Sequence, residues 1–110
     1  MESVLVNQDR ASALQAAVTR NGSETDALLR AAALERAGGG APIDQPRDEL
    51  ARQIGEAAYK VTDAQVAAVR EATGSDKAAF EIIMSACIGA GLARWGAAVR
   101  AIEEARDAAP

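Results

Sequence analysis

The sequence predicts an all-α fold: a compact bundle of about five helices, with a long central helix at the C-terminus. Three observations carry this reading. Hydrophobic residues make up 49% of the 110 positions but aromatic residues only 3%, so the core must be built from Ala, Leu, Ile and Val, which suits closely spaced helices. There are three prolines, and two of them, Pro42 and Pro46, fall in one short segment, leaving long alanine-rich stretches free to be helical. Helix start and stop residues also recur along the chain. A chain of this length is about one domain and buries roughly two-thirds of its unfolded surface.

The elements follow in order. Val4 to Val6 form a short apolar lead, and a first helix is expected from about Asp9 to Arg20, with Leu14, Ala17 and Val18 inward. Asn21-Gly22 stops it, because both residues tolerate the left-handed conformation. Ser23 is expected to cap a second helix, with Asp26 at its third position and Leu28, Leu29 and Ala32 facing the core. Gly38-Gly39-Gly40 ends that helix. Residues 1–37 then read as an N-terminal helical hairpin and 38–46 as a mobile Gly/Pro linker inside a single domain.

A third helix begins near Pro46 or Arg47, where proline suits a first turn. Leu50, Ile54, Ala57 and Val61 recur on it at helical spacing. Thr62-Asp63-Ala64-Gln65 is the strongest local signal: Thr62 and Gln65 form a capping box that starts a fourth helix. Gly74 ends that helix, and Ser75 caps the fifth, with Asp76 favourably placed in its first turn. The fifth helix is expected from about Asp76 to Arg106. One apolar stripe runs through Phe80, Ile83, Met84, Cys87, Ile88, Gly91, Leu92, Trp95, Val99 and Ile102, and a ridge of small residues through Ser85, Gly89, Ala93 and Ala97. A helix apolar on all sides is held centrally or shared with another subunit.

Charge and composition narrow the function. Twelve Lys and Arg against 16 Asp and Glu give a net charge of -4, which argues against nucleic acid as a partner. The fourth and fifth helices mimic a helix-turn-helix, yet the second reads Ala-Ala-Phe-Glu-Ile-Ile-Met and offers almost no donors to bases or phosphates. With no His and one Cys, no transition-metal site and no disulfide framework are expected. Gly38-Gly39-Gly40 lacks the Lys-Ser/Thr of a phosphate loop, and no cofactor is implied. The N-terminus lacks the basic and apolar regions of a signal peptide, and the uncharged stretch Ile82 to Ala93 is short for a membrane span. A cytoplasmic, membrane-free protein is the expectation.

Three residues are candidates for chemistry. Cys87 is the only thiol, although its place on the apolar stripe reads as a buried small hydrophobe. Glu81 sits beside the uncharged half of the fifth helix; burial would raise its pKa, while Lys77, four residues earlier, is the simpler partner. Tyr59 offers a hydroxyl, but its ring is expected to pack inward. Arg94 with Trp95 offers a cationic handle beside an aromatic wall, against a plainer reading of Trp95 as a core anchor.

Several segments together resemble the C-terminal half of alkylhydroperoxidase-D-like (AhpD-like) proteins of the carboxymuconolactone decarboxylase superfamily. They are Ala-Tyr-Lys-Val-Thr-Asp-Ala-Gln-Val-Ala-Ala-Val-Arg (58–70), Ser75-Asp76, Ala79-Phe80-Glu81-Ile82, and Ile88-Gly89-Ala90-Gly91-Leu92-Ala93-Arg94. The resemblance covers about residues 44 to 104. It implies an all-α homo-oligomer associating through helix packing. Its peroxidase chemistry depends on a Glu, a Cys-x-x-Cys pair and a His, placed upstream of the similar segment, and residues 1–41 hold no Cys and no His. The expectation is therefore an AhpD-like, non-peroxidase oligomeric binding or interaction module, its small-molecule ligand unknown. The alternative is a weak peroxidase or small-molecule lyase using Cys87, Glu81 or Tyr59. A half-domain that completes a catalytic partner is a third possibility.

Overall fold

The computed structural model describes residues 2–20 and 23–108. Five α-helices follow one another: α1 (Glu2–Val18), α2 (Ala27–Ala37), α3 (Arg47–Ala57), α4 (Asp63–Thr73) and α5 (Asp76–Ala108). A single 3₁₀ turn, Ala58–Lys60, joins α3 to the loop before α4, and no strand occurs among the described residues. The all-α bundle and its long last helix are as the sequence predicts.

Local chemistry sets most boundaries. The capping box before α4 forms in full: Gln65 N–H donates to Thr62 Oγ1 at 3.2 Å, and Thr62 N–H donates to Gln65 Oε1 at 2.9 Å. Gly74 ends α4 at φ 100°, a left-handed conformation that a side chain would strain. Ser75 Oγ accepts from the amide of Ala78 at 3.1 Å and so caps α5. Pro46, joined to Gln45 by a cis peptide bond, directly precedes α3.

Two boundaries differ from expectation. The apolar lead is not separate, because α1 already begins at Glu2. Asp26, not Ser23, caps α2, with its carboxylate accepting from Leu28 N–H at 2.8 Å. The expected stop at Asn21-Gly22 lies outside the described residues.

The core gathers where α2, α3 and α5 converge, with Leu50, Ile82 and Val69 its largest fully buried side chains. The rest is mostly alanine, which is possible because the backbones approach closely. A Cβ on Gly89 would overlap the Leu34 carbonyl of α2, and one on Gly55 would overlap the Ala37 carbonyl. Helix α5 touches each of the other four helices and is central in that sense.

Its orientation is the main correction. The buried face of α5 is the small-residue side: Ala78, Ala79, Ile82, Ser85, Ala86, Gly89 and Ala90. Much of the expected core stripe points the other way, with Phe80 61% and Met84 41% exposed and Cys87 and Gly91 also exposed, whereas Val99 is buried and Ile83 packs against the core. Similarly, Leu28 is 79% exposed on α2, while Arg30, Ala33, Leu34 and Ala37 are buried. The physical reason is shared. Close backbone approach turns the small residues inward beside Leu34 and Ile82, and it leaves Leu28, Phe80 and Met84 outside.

Segment 38–46 is tied at several points. Gly40 N–H donates to Glu35 O at 2.8 Å, and Ile43 N–H donates to Asp48 Oδ1 at 2.9 Å. Arg36 bridges the segment's two ends, donating from Nε to Asp48 at 2.6 Å and from Nη1 to Gly40 O at 3.1 Å.

Candidate functional site

The structure separates the three chemical candidates. Tyr59 lies in the 3₁₀ turn, 85% exposed rather than packed inward, with the Lys60 ammonium 5.8 Å from its ring centre. Nothing holds its hydroxyl against another reactive group.

Glu81 takes part in a polar knot. Its carboxylate accepts from Glu24 N–H at 3.1 Å, Thr25 N–H at 2.9 Å and the Thr25 hydroxyl at 2.6 Å. Arg30, buried at 4% exposure, stands 4.0 Å away. Arg30 also donates to Val18 O at 2.7 Å and to the carbonyls of Arg20 and Thr25. A guanidinium thus satisfies the C-terminal carbonyls of α1, where a cation is favoured by the helix dipole. The Thr25 hydroxyl and amide, then the Glu24 amide and the Arg30 charge, hold Glu81 below the ordinary carboxylate range, outweighing the opposing effect of burial. The expected Lys77 pairing is absent, and so is the raised pKa that would suit a proton shuttle. Glu81 organises the α1–α2 connection.

Cys87 is exposed, not buried. It lines a groove of about 530 Å³ between α1 and α5, together with Leu14, Ile88, Gly91, Leu92 and Trp95. Asn7 and Arg10 stand at its α1 side. The groove is open at Gly91, where a Cβ would meet nothing within 4 Å. None of the cavities described here brings Cys87, Glu81 and Tyr59 together.

Arg94 and Trp95, adjacent in sequence, part company in space. Trp95 faces the α1 side, whereas Arg94 reaches over α3 and donates to Gly55 O at 2.9 Å. Among the described residues no group of three or more His, Cys, Asp or Glu is placed to hold a metal ion.

The outer face of α5 is the most distinctive surface. Phe80, Met84, Cys87, Gly91 and Trp95 make it an uncharged stripe, with Arg94 at its edge. Gly91 lies nine positions beyond the buried Ile82, about two and a half turns, and so on the opposite side. Length and composition alone make α5 a helix that could cross a membrane, and 33% of its most apolar window is buried. A core helix of a water-soluble protein passes the same test, and here the buried third is the face against α2 and α3.

Sequence reasoning missed Arg30 and Asp48. Both are charged residues at positions that become internal, and the only local signal was a charge interrupting an otherwise apolar helix face. No family model, no curated protein and no solved structure matches the chain.

Proposed function

We propose that this protein is an AhpD-like helical module without the redox thiol pair, whose role is association, and that its binding surface is the outer face of α5. The observation that carries this reading is the placement of two apolar faces on opposite sides of one helix, one covered by α2 and α3 and the other left largely open beside α1. A contiguous exposed apolar patch of this kind marks an interaction surface.

A second copy of the chain suits the surface because the stripe is self-complementary. Antiparallel pairing of two α5 helices about the midpoint between Cys87 and Ile88 sets Met84 opposite Gly91 and Phe80 opposite Trp95. Such a two-fold contact uses the same patch on both subunits. It also supplies a reason for Gly91, which costs about 0.5–1 kcal/mol relative to alanine inside a helix and has no close neighbour within the chain. The resemblance of residues 58–94 to AhpD-like helices points to the same helix-packed homo-oligomer. A cytoplasmic setting belongs to this reading, since a single exposed thiol is best kept in a reducing compartment.

Sedimentation equilibrium at micromolar concentration tests it. The wild-type chain is expected to be dimeric, and the Phe80→Asp/Met84→Asp double variant monomeric with unchanged helical circular dichroism. A wild-type chain that stays monomeric up to about millimolar concentration, an association of no more than about 4 kcal/mol, would remove the proposal.

The exposure of Cys87 favours one second reading, a one-cysteine peroxidase. Hydroperoxide consumption by the purified chain, abolished in Cys87→Ser, would replace association as the primary role.

A further inference from the structure

We infer that the protein carries a binding site for a small oxyanion, a carboxylate or phosphate group, in the cavity on the α2–α3–α5 side of the molecule. The cavity measures about 270 Å³. Arg36 from α2, Arg52 from α3 and Arg94 from α5 line it, with Glu56 the single carboxylate. Three arginine side chains therefore border one hollow in a protein whose net charge is -4, and Arg36 is already paired with Asp48 outside it.

Each arginine is held at one end and free to donate at another. Arg36 serves Asp48 and the loop carbonyl of Gly40, and Arg94 serves Gly55 O, one of the last carbonyls of α3, through Nη2. Arg52 donates from Nη1 to Glu56 Oε2 at 2.7 Å. A guanidinium has five N–H donors in a rigid fork matched to carboxylate and phosphate, so Arg52 and Arg94 each keep most of theirs. Anchoring reduces the side-chain ordering that binding would otherwise require.

The floor beneath them is bare. Ala90, Ala93 and Ala97 of α5 present only methyl groups to it, and a Cβ on Gly39 would meet nothing within 4 Å. Gly38-Gly39-Gly40, which lacks the following Lys-Ser/Thr of a phosphate loop, here borders cations brought by three different helices. Glu56 acts as the resident anion on Arg52, and an incoming oxyanion takes its place.

Isothermal titration and thermal denaturation with inorganic phosphate, acetate and benzoate, against chloride at equal ionic strength, test the inference. At least one of the three is expected to bind saturably and raise the melting temperature beyond the chloride control. Which one does so identifies the head group and shows whether an apolar body adds affinity. Arg94→Gln and Arg52→Gln are each expected to weaken binding by about tenfold, as loss of a charged hydrogen bond does, and Glu56→Gln to strengthen it. Arg52 is partly exposed and caps no carbonyl, so its variant keeps the test decisive if Arg94→Gln fails to fold. Shifts no larger than chloride's for all three anions, or binding unchanged in Arg52→Gln, overturn the inference.

Discussion

Gly89 and Gly91 stand two positions apart on one helix and have opposite reasons to be glycine. Gly89 is pressed against the Leu34 carbonyl, whereas Gly91 faces open space. Gly89→Ala is therefore expected to cost about 1–3 kcal/mol or more, since backbone must move to admit the methyl group. Urea denaturation at low protein concentration reads this directly. At the same scale, Glu81 and Asp48 make stability pH-dependent. Asp48 is held low first by its hydrogen bond from Arg36, then by the Ile43 amide; Glu81 is held low by Thr25 and Glu24. Both folded-state pKa values lie below the unfolded ones. Their contribution is thus complete above the ordinary carboxylate range of about 4 and is lost as pH falls through the lower folded values. Urea midpoints should be level from pH 7 to about 5 and fall below it, with a shallower fall in Glu81→Gln; a midpoint that rises on acidification would contradict the assignment. Glu81 was legible as an interesting carboxylate, but its partners, Glu24 and Thr25, lie 57 and 56 residues away, beyond any local pattern.

Among the elements, α4 shows how far local chemistry reaches. Its capping box and its glycine stop were readable from five or six residues, and both formed. Thr62→Ala is expected to cost about 1 kcal/mol, measurable as a lowered urea midpoint. Helices α2 and α5 show where such reading stops. Their periodicity announced helices, yet the choice of inward face went to the side that permitted closest approach. On α5 that left a bulky apolar stripe outside, and Gly91→Trp probes it. A Cβ at this position meets nothing within 4 Å in the single chain, so folding should persist while the antiparallel α5 contact is blocked. Sedimentation of this variant as a folded monomer is the expected result. A folded dimer would mean that pairing uses another surface.

The whole molecule is elongated, 55 × 30 × 20 Å, with a radius of gyration of 15.6 Å. A globular domain of this length has about 13 Å. The excess comes from α5, whose 33 residues span about 50 Å and whose residues 100–108 are all exposed. A small alanine-rich core leaves much of this rod uncovered, so stability should be linked to assembly by mass action. The thermal midpoint of the wild-type chain is expected to rise with protein concentration, and that of Phe80→Asp/Met84→Asp to stay constant.

By itself, the sequence determined what depends on neighbours along the chain. That includes the all-α class, the cap of α4, the glycine stops, and an unusually long last helix apolar on more than one side. Tertiary structure alone decided which of those sides is inside, and it gathered Arg30 with Glu81 and Arg36 with Arg52 and Arg94. The reason is physical. Helix signals are short-range backbone chemistry, whereas the buried face is chosen by how closely three backbones can approach, and that depends on the carbonyls of Leu34 and Ala37 meeting glycines far along the chain.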